Sequence, residues 1–522
     1  MKMKIPSIPI VLTIVFFGLL AKSHAVNPPP DGGYPGGNTA EGQNALFSLT
    51  TGGFNAAIGW LSLRTNGTGS FNTAIGAGTL ALNNADNNTA AGAAALLFNT
   101  IGYRNTANGA FALFNNTEGH GNTATGANAL LSNTTGNDNT AAGDLALYSN
   151  TIGNVNTATG SEALYSNTEG FGNTATGAGA LNLNTTGDGN TAHGYSALAN
   201  NTTGGNNTAT GANALLMNTT GGGNTANGFD ALASNTEGFN NTANGSVALY
   251  FNTTGFANTA AGSQALYNNT EGFNNTANGY GALFSNTTGS DNTATGNSAL
   301  NRNTTGSVNT AVGAAALFNV TTGGGNIALG VNAGSAITAN NNVICIGAPG
   351  PATVSDACFI GQIFGKTSSG GTAVFINSDG RLGTTTSSRR FKEEIKKMEL
   401  SSEALYALKP VTFRYKKEFD PQGILQFGLV AEDVEAVNPD LVVRDKEGKS
   451  YSVRYDQVNA MLLNEFIKEH GRNAQQEATI AELKKEIANL TTTVKEQAAQ
   501  IQKVSAQVQL SSPASQTVMN SP

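Results

Sequence analysis

Three patterns of apolar positions divide the chain. An apolar run covers Ile8 to Ala21. From Asn38 to residue 347, Ala and Leu recur every 17 residues on a background of Asn, Thr and Gly. Near the C-terminus Ile480, Leu483, Ile487, Leu490, Val494, Gln497, Ile501, Val504 and Val508 follow one another at alternating steps of three and four. That spacing predicts a heptad seam, with a coiled coil over 476–510 and a disordered tail at 511–522. Ile and Val at one seam position and Leu at the other nominally favour a dimer, a preference that the polar Gln497 weakens.

The first run is preceded by Lys2 and Lys4 and followed by Ser23-His24-Ala25, the layout of a secretory signal peptide over 1–25, cut after Ala25. It is shorter than the roughly 20 residues a bilayer span needs, so no stable transmembrane segment is expected after signal removal. The product is expected to be secreted or held at the cell surface. Residues 26–37 (V-N-P-P-P-D-G-G-Y-P-G-G) read as a Pro/Gly leader.

The middle, 38–347, repeats a unit N-T-A-x-G-x-x-A-L-x-x-N-T-x-G-x-x, seen in full at Asn122 to Asp138. Eighteen copies start at Asn residues from Asn38 to Asn326, with one interval of 16 between Asn72 and Asn88. A fixed period signals stacked units, and 17 residues are too few for a helical hairpin. One coil of two short strands and two turns fits, which predicts a mainly β chain built on a parallel β-solenoid or β-roll. Gly126 and Gly136 are then turn residues at positive φ, and Ala124, Ala129 and Leu130 point inward. Asn and Thr are expected to stack into ladders along the axis, a better use of Asn-x-Thr triplets such as Asn133-Thr134-Thr135 than glycosylation. One large apolar side chain per coil is a thin core, so an oligomer is expected. The N-T-A-x-G and A-L-x-x-N-T-x-G units resemble the YadA-like head repeats of trimeric autotransporter adhesins, which implies a trimeric parallel β-roll, although this unit is longer than that family's usual one.

The connector 348–383 is less regular and β-rich. Cys345 (V-I-C-I-G) and Cys358 (A-C-F-I-G) differ by one residue in phase relative to the next Gly. Opposite faces and two buried thiols are therefore expected rather than a disulfide.

From residue 384 Lys, Arg and Glu become frequent and Gly rare, marking a small α+β domain over 384–475. The pattern predicts a helix through Leu405–Leu408 ended by Pro410 and strands at 411–415, 426–430 and 451–455. It also predicts a short helix at 431–437 and a long helix capped by Asp456. Phe413, Tyr415, Phe427 and Tyr455 read as core. The runs S-S-R-R-F-K-E-E-I (387–395), A-L-K-P-V-T-F-R-Y (407–415), F-G-L-V-A-E-D-V-E (427–435) and Y-S-V-R-Y (451–455) resemble the endosialidase-type intramolecular chaperone auto-processing domain of phage tail spikes and fibres. The resemblance implies a domain that assembles a trimeric fibre and then cuts itself off before a serine. Laid on this chain, the family's S-D-x-R-x-K pattern implies a catalytic dyad of Ser387 and Lys392 and a cut between Thr386 and Ser387. Where the family has Asp, this chain has Ser388. A lysine acts as general base only when neutral, a state favoured by burial or by cations such as Arg389, Arg390, Lys396 and Lys397.

Composition narrows the chemistry. The formal charge is −7, and the middle of the chain is acidic, which disfavours a nucleic-acid partner. The two Cys and four His are too few and scattered for a metal or cofactor site, and none is expected. Glu432 and Asp433 are adjacent and read as structural rather than as a catalytic pair. The expected partners are other copies of this chain, as a homotrimer, and a cell-surface glycan or receptor. The expected function is an exported, adhesin-like β-fibre whose only chemistry is a single cut in cis. The alternatives are a phage-type tail fibre, or a polysaccharide- or ice-binding repeat protein with a permanent trimerisation cap.

Overall fold

A computed structural model describes residues 34–511. The signal peptide at 1–25 lies outside the described residues, as do most of the leader and the tail beyond Ser511. The chain divides into two compact units, with the divide between Lys366 and Thr367.

The first unit is a parallel β-solenoid. Twenty short strands, β1 (Thr39–Glu41) to β20 (Ala357–Ile360), stack in chain order into one parallel sheet. Their register follows the repeat: Ala124 lies beside Ala141, and the step shortens to 16 at Thr73 beside Thr89. Ala124, Ala129 and Leu130 are fully buried, as are their equivalents in most other coils, with slight exposure in the first, which places the core as the apolar phase predicts.

The coil differs from expectation in two respects. It contains one three-residue strand rather than two. The Ala-Leu half still bonds its neighbours, since the Leu130 N–H donates to the Ala146 carbonyl (2.9 Å) and the Ser132 N–H to the Tyr148 carbonyl (3.0 Å). However, Asn128 and Leu130 sit at φ 58° and 53°, so this half alternates in handedness and is not extended. Every repeat Leu from Leu46 to Leu317 has a positive φ. That conformation costs roughly 1–2 kcal/mol per residue, and burying the leucine returns about 1.5–3 kcal/mol, enough to hold the backbone there. Secondly, only one repeat glycine is needed for its φ. Gly126 has φ 137°. Gly136 is not at positive φ; it is needed for space, because a Cβ there would stand against Asn133 Oδ1.

Two columns of buried asparagines run through the interior. In one, Asn139 Nδ2 donates to Asn122 Oδ1 (3.1 Å) and to the Gly153 carbonyl (2.8 Å). In the other, Asn133 Nδ2 donates to Asn116 Oδ1 (2.8 Å) and to the Gly136 carbonyl (2.9 Å). Buried amides are tolerable only when paired, and a repeated coil supplies the same partner each time. Asn133 is fully buried, which supports the ladder over a glycan acceptor. The threonine that follows it also forms a ladder, Thr134 Oγ1 donating to the Thr151 carbonyl (3.1 Å). The second asparagine column ends at Asn303, because the next coil has Val320 at that phase. Asn303 Oδ1 is, among the described residues, the buried side-chain polar atom left without a partner.

At the last turns Cys345 pairs in register with Phe359 and Ile344 with Cys358. The two cysteines therefore face opposite sides and are free. Cys345 is buried, but Cys358 is exposed, correcting the expectation of two buried thiols: β20 is the last strand of the sheet and its outer face has no cover.

The second unit begins with a hairpin, β21 (Phe375–Ile376) and β22 (Leu382–Gly383). It continues with β23 (Val411–Phe413) against β24 (Gln426–Gly428), α1 (Ala431–Val437) and the hairpin of β25 (Val442–Arg444) with β26 (Ser450–Val453). It ends in α2 (Tyr455–Leu510), 56 residues long. The helix expected before Pro410 is a 3-10 helix, Glu399–Ala407, whose Glu399 carbonyl accepts a bond from Asn464 on α2. Asp456 lies in the first turn of α2 and does not cap it; Arg454 precedes the helix and no side chain closes its start. The core is small: Val434, Leu441, Val442, Val453, Val458 and Met461. Phe413 is half-buried, but Tyr415, Phe427 and Tyr455 are exposed, against expectation. The core draws on α1, β25, β26 and the start of α2 and takes no residue from β23 or β24.

Candidate assembly and cleavage site

Ser387 lies in extended chain before a single 3-10 turn, Arg389–Phe391. Ser388 takes the N-cap position without making a side-chain cap bond, and Lys392 closes the turn, its N–H donating to the Arg389 carbonyl (3.1 Å). Thr386, Ser387 and Lys392 are all exposed. No hydrogen bond joins Ser387 to Lys392 among the described residues. The cationic neighbours are engaged elsewhere, Arg390 over the Phe391 ring at 4.6 Å and Lys396 beside Glu394 at 3.9 Å. One chain thus holds the two residues exposed to water, one before and one at the end of the same short turn. Glu432 and Asp433 are exposed in the first turn of α1, where a carboxylate complements the helix dipole.

A denser cluster, not foreseen from the sequence, lies further along. Glu465 on α2 is buried, its side chain 8% exposed. Lys468 Nζ donates to its Oε1 (2.6 Å), the Ser402 hydroxyl donates to the same oxygen, and the Tyr406 hydroxyl donates to Oε2 (2.8 Å). Asn464 Nδ2 closes the group by donating to Ser402 Oγ (2.6 Å). The lysine, foremost, and the serine hold the Glu465 carboxyl down at about 2, and that carboxylate in turn raises Tyr406. Lys468 Nζ also lies 3.4 Å from Ser402 Oγ. The cluster is a clasp that fixes the 3-10 helix Glu399–Ala407 onto α2. Its sequence signal, Ser402 and Tyr406 four apart and Glu465 and Lys468 three apart, is too common to single out. A second carboxylate, Glu435, is lowered by the Ser450 hydroxyl and then by Arg444.

The apolar surface is extensive. Ile480, Leu483, Ile487, Leu490, Val494, Ile501, Val504 and Val508 are all at least half exposed along α2, so the seam is not folded back onto its own chain. Phe427 and Tyr451 are about three-quarters exposed and Phe466 is 71% exposed. No helix among the described residues is long and apolar enough to cross a membrane, and no cluster of metal-ligating side chains is found among them.

Comparison with curated proteins and with solved structures gives no match. Residues 387–443, from Ser387 through Lys392, β23, β24 and α1 into β25, match the family model of the chaperone of endosialidase.

Proposed function

We propose that this chain is an exported, trimeric, adhesin-like β-fibre whose C-terminal domain assembles it and then cuts itself off between Thr386 and Ser387. The coarser reading, a tail-fibre-like protein in which a β-solenoid precedes an intramolecular chaperone segment, rests on the fold and on the family match. The observation that supports assembly from several copies is the exposed seam of α2. A stripe of that length in water is an unmet binding surface, and the side chains that fit it are those of another copy.

Identical coils make register ambiguous, since sliding one chain by a coil preserves most contacts. Copies that join first at the C-terminus start in one register and avoid that search. Association also supplies what the cleavage site lacks in a single chain, which is burial of Lys392. Ser387, activated by neutral Lys392, then attacks the Thr386 carbonyl carbon; the peptide C–N bond breaks, and the serine proton passes through the lysine to the leaving amine. The resulting ester at Thr386 is hydrolysed by water.

The test is intact mass and N-terminal sequencing of the expressed protein beside Ser387→Ala and Lys392→Ala. A new N-terminus at Ser387, absent from both variants, is expected. An uncut wild type would make the domain a permanent cap.

A further inference from the structure

The strand of each coil sends its first and third residues outward, and the first is held constant where other exposed positions vary. From Thr73 to Thr310 fifteen consecutive strands carry Thr there, none of them buried, in parallel pairing that shifts only once in sequence step and never in phase. Positions elsewhere on the coil range freely, for example Ala178, Tyr195, Ala212 and Phe229 at one phase. The two threonine columns also behave differently. Thr134 and its equivalents donate their hydroxyls to the next coil, whereas Thr123 and its equivalents give Oγ1 no partner in the protein among the described residues. A strand position that needed only a β-branched shape would accept Val equally well.

This face carries no Asp, Glu, Lys or Arg from Ala56 to Leu329, although the repeats bear acids at other phases, such as Glu169 and Asp230. Its third position is Thr, Asn, Ala or another uncharged side chain, with one His. The result is a lattice of free hydroxyls and methyls, about 4.8 Å apart between coils and roughly 6.7 Å apart along each strand. The buried asparagine ladders and the close-stacked Gly126 and Gly143 hold it rigid.

We propose that this threonine face is an ice-binding surface, on which water held at regular hydroxyl and methyl positions joins the ice lattice. The proposal goes beyond the assembly reading and does not depend on cleavage. Other occupants fit less well. A protein partner is recognised through large apolar or aromatic anchors, which this chain displays on α2. A polysaccharide stacks on open aromatic faces, but the aromatics here stand at other phases, and those of the longest column cover one another, Phe256 lying between Phe239 and Phe273 with centroids 4.9 and 5.0 Å away.

Thermal hysteresis and partition into growing ice, measured on the full chain, test it. The wild type is expected to shape ice and to be taken up by it. Thr208→Tyr/Thr225→Tyr/Thr242→Tyr is expected to lose most of both activities. Ala178→Tyr/Ala212→Tyr, which places tyrosine where neighbouring coils already carry Tyr195 and Phe229, is expected to keep them. Far-UV circular dichroism checks that both variants retain the solenoid. A wild type without hysteresis, or equal losses in the two folded variants, overturns the proposal. So does a change of molecular mass in the threonine variant alone, which would make the face a contact between copies.

Discussion

The solenoid buries Ala124, Ala129 and Leu130 completely within a single chain and pairs nearly every interior amide, whereas the C-terminal unit leaves Phe427, Tyr451, Phe466 and the whole α2 seam in water. A coil needs only its neighbour to be satisfied, and the chain itself supplies that neighbour. The seam of the long helix meets no second helix among the described residues of one chain. Repetition can therefore make a core self-sufficient with small side chains, while the information for assembly is concentrated in the part that does not repeat.

The contrast can be broken most forcefully at the seam. Ile487→Asp combined with Leu490→Asp puts two carboxylates on the surface proposed to join copies; if that proposal holds, the oligomer is expected to fall to monomers by sedimentation or light scattering, with the solenoid's β signature kept in whatever remains soluble.

A smaller effect is expected inside the solenoid. Asn150→Ala strands Asn133 Oδ1 without its donor and opens a small void, at about 1–3 kcal/mol for the orphaned group alone, read as a lower denaturation midpoint. Val320→Asn sharpens the point: its amide would satisfy Asn303 Oδ1 but present a new unpaired oxygen to Ile337, the residue at that phase in the next coil. The midpoint is expected to change far less than for Asn150→Ala.

The smallest effect belongs to the clasp. Glu465 has a carboxyl lowered to about 2 from its ordinary 4.5. Its contribution is therefore complete above about pH 4.5 and is lost as the pH falls through about 2. Glu465→Gln is expected to lower the melting temperature of the C-terminal unit at neutral pH and to flatten its acid limb, while the melting of the solenoid is unchanged.

Much of this was legible before any coordinates. The Ala, Ala and Leu phase placed the solenoid core because the same interior is built many times over, so that chance substitutions cancel. Val411–Phe413, Gln426–Gly428 and Ala431–Val437 lie where local patterning puts them. The positive φ of Leu130 was hidden, since leucine alone disfavours it and only complete burial against the next coil holds it there. Gly136 was misread for a similar reason: its need is room beside Asn133, which depends on where that side chain lies.

The clasp was invisible because Ser402 and Glu465 are 63 residues apart, and no local pattern reports such a meeting. Ser387 and Lys392 were nameable only through the family resemblance, since a Ser and a Lys five apart are commonplace, and their exposed surroundings in one chain were not legible at all. Periodicity and turn chemistry are local, and they suffice to dictate the coil, its ladders and the helical seam. Handedness within the coil, the burial of Glu465 and the unmet surface of α2 depend on what each side chain finally rests against, and that is decided only when distant segments share one volume.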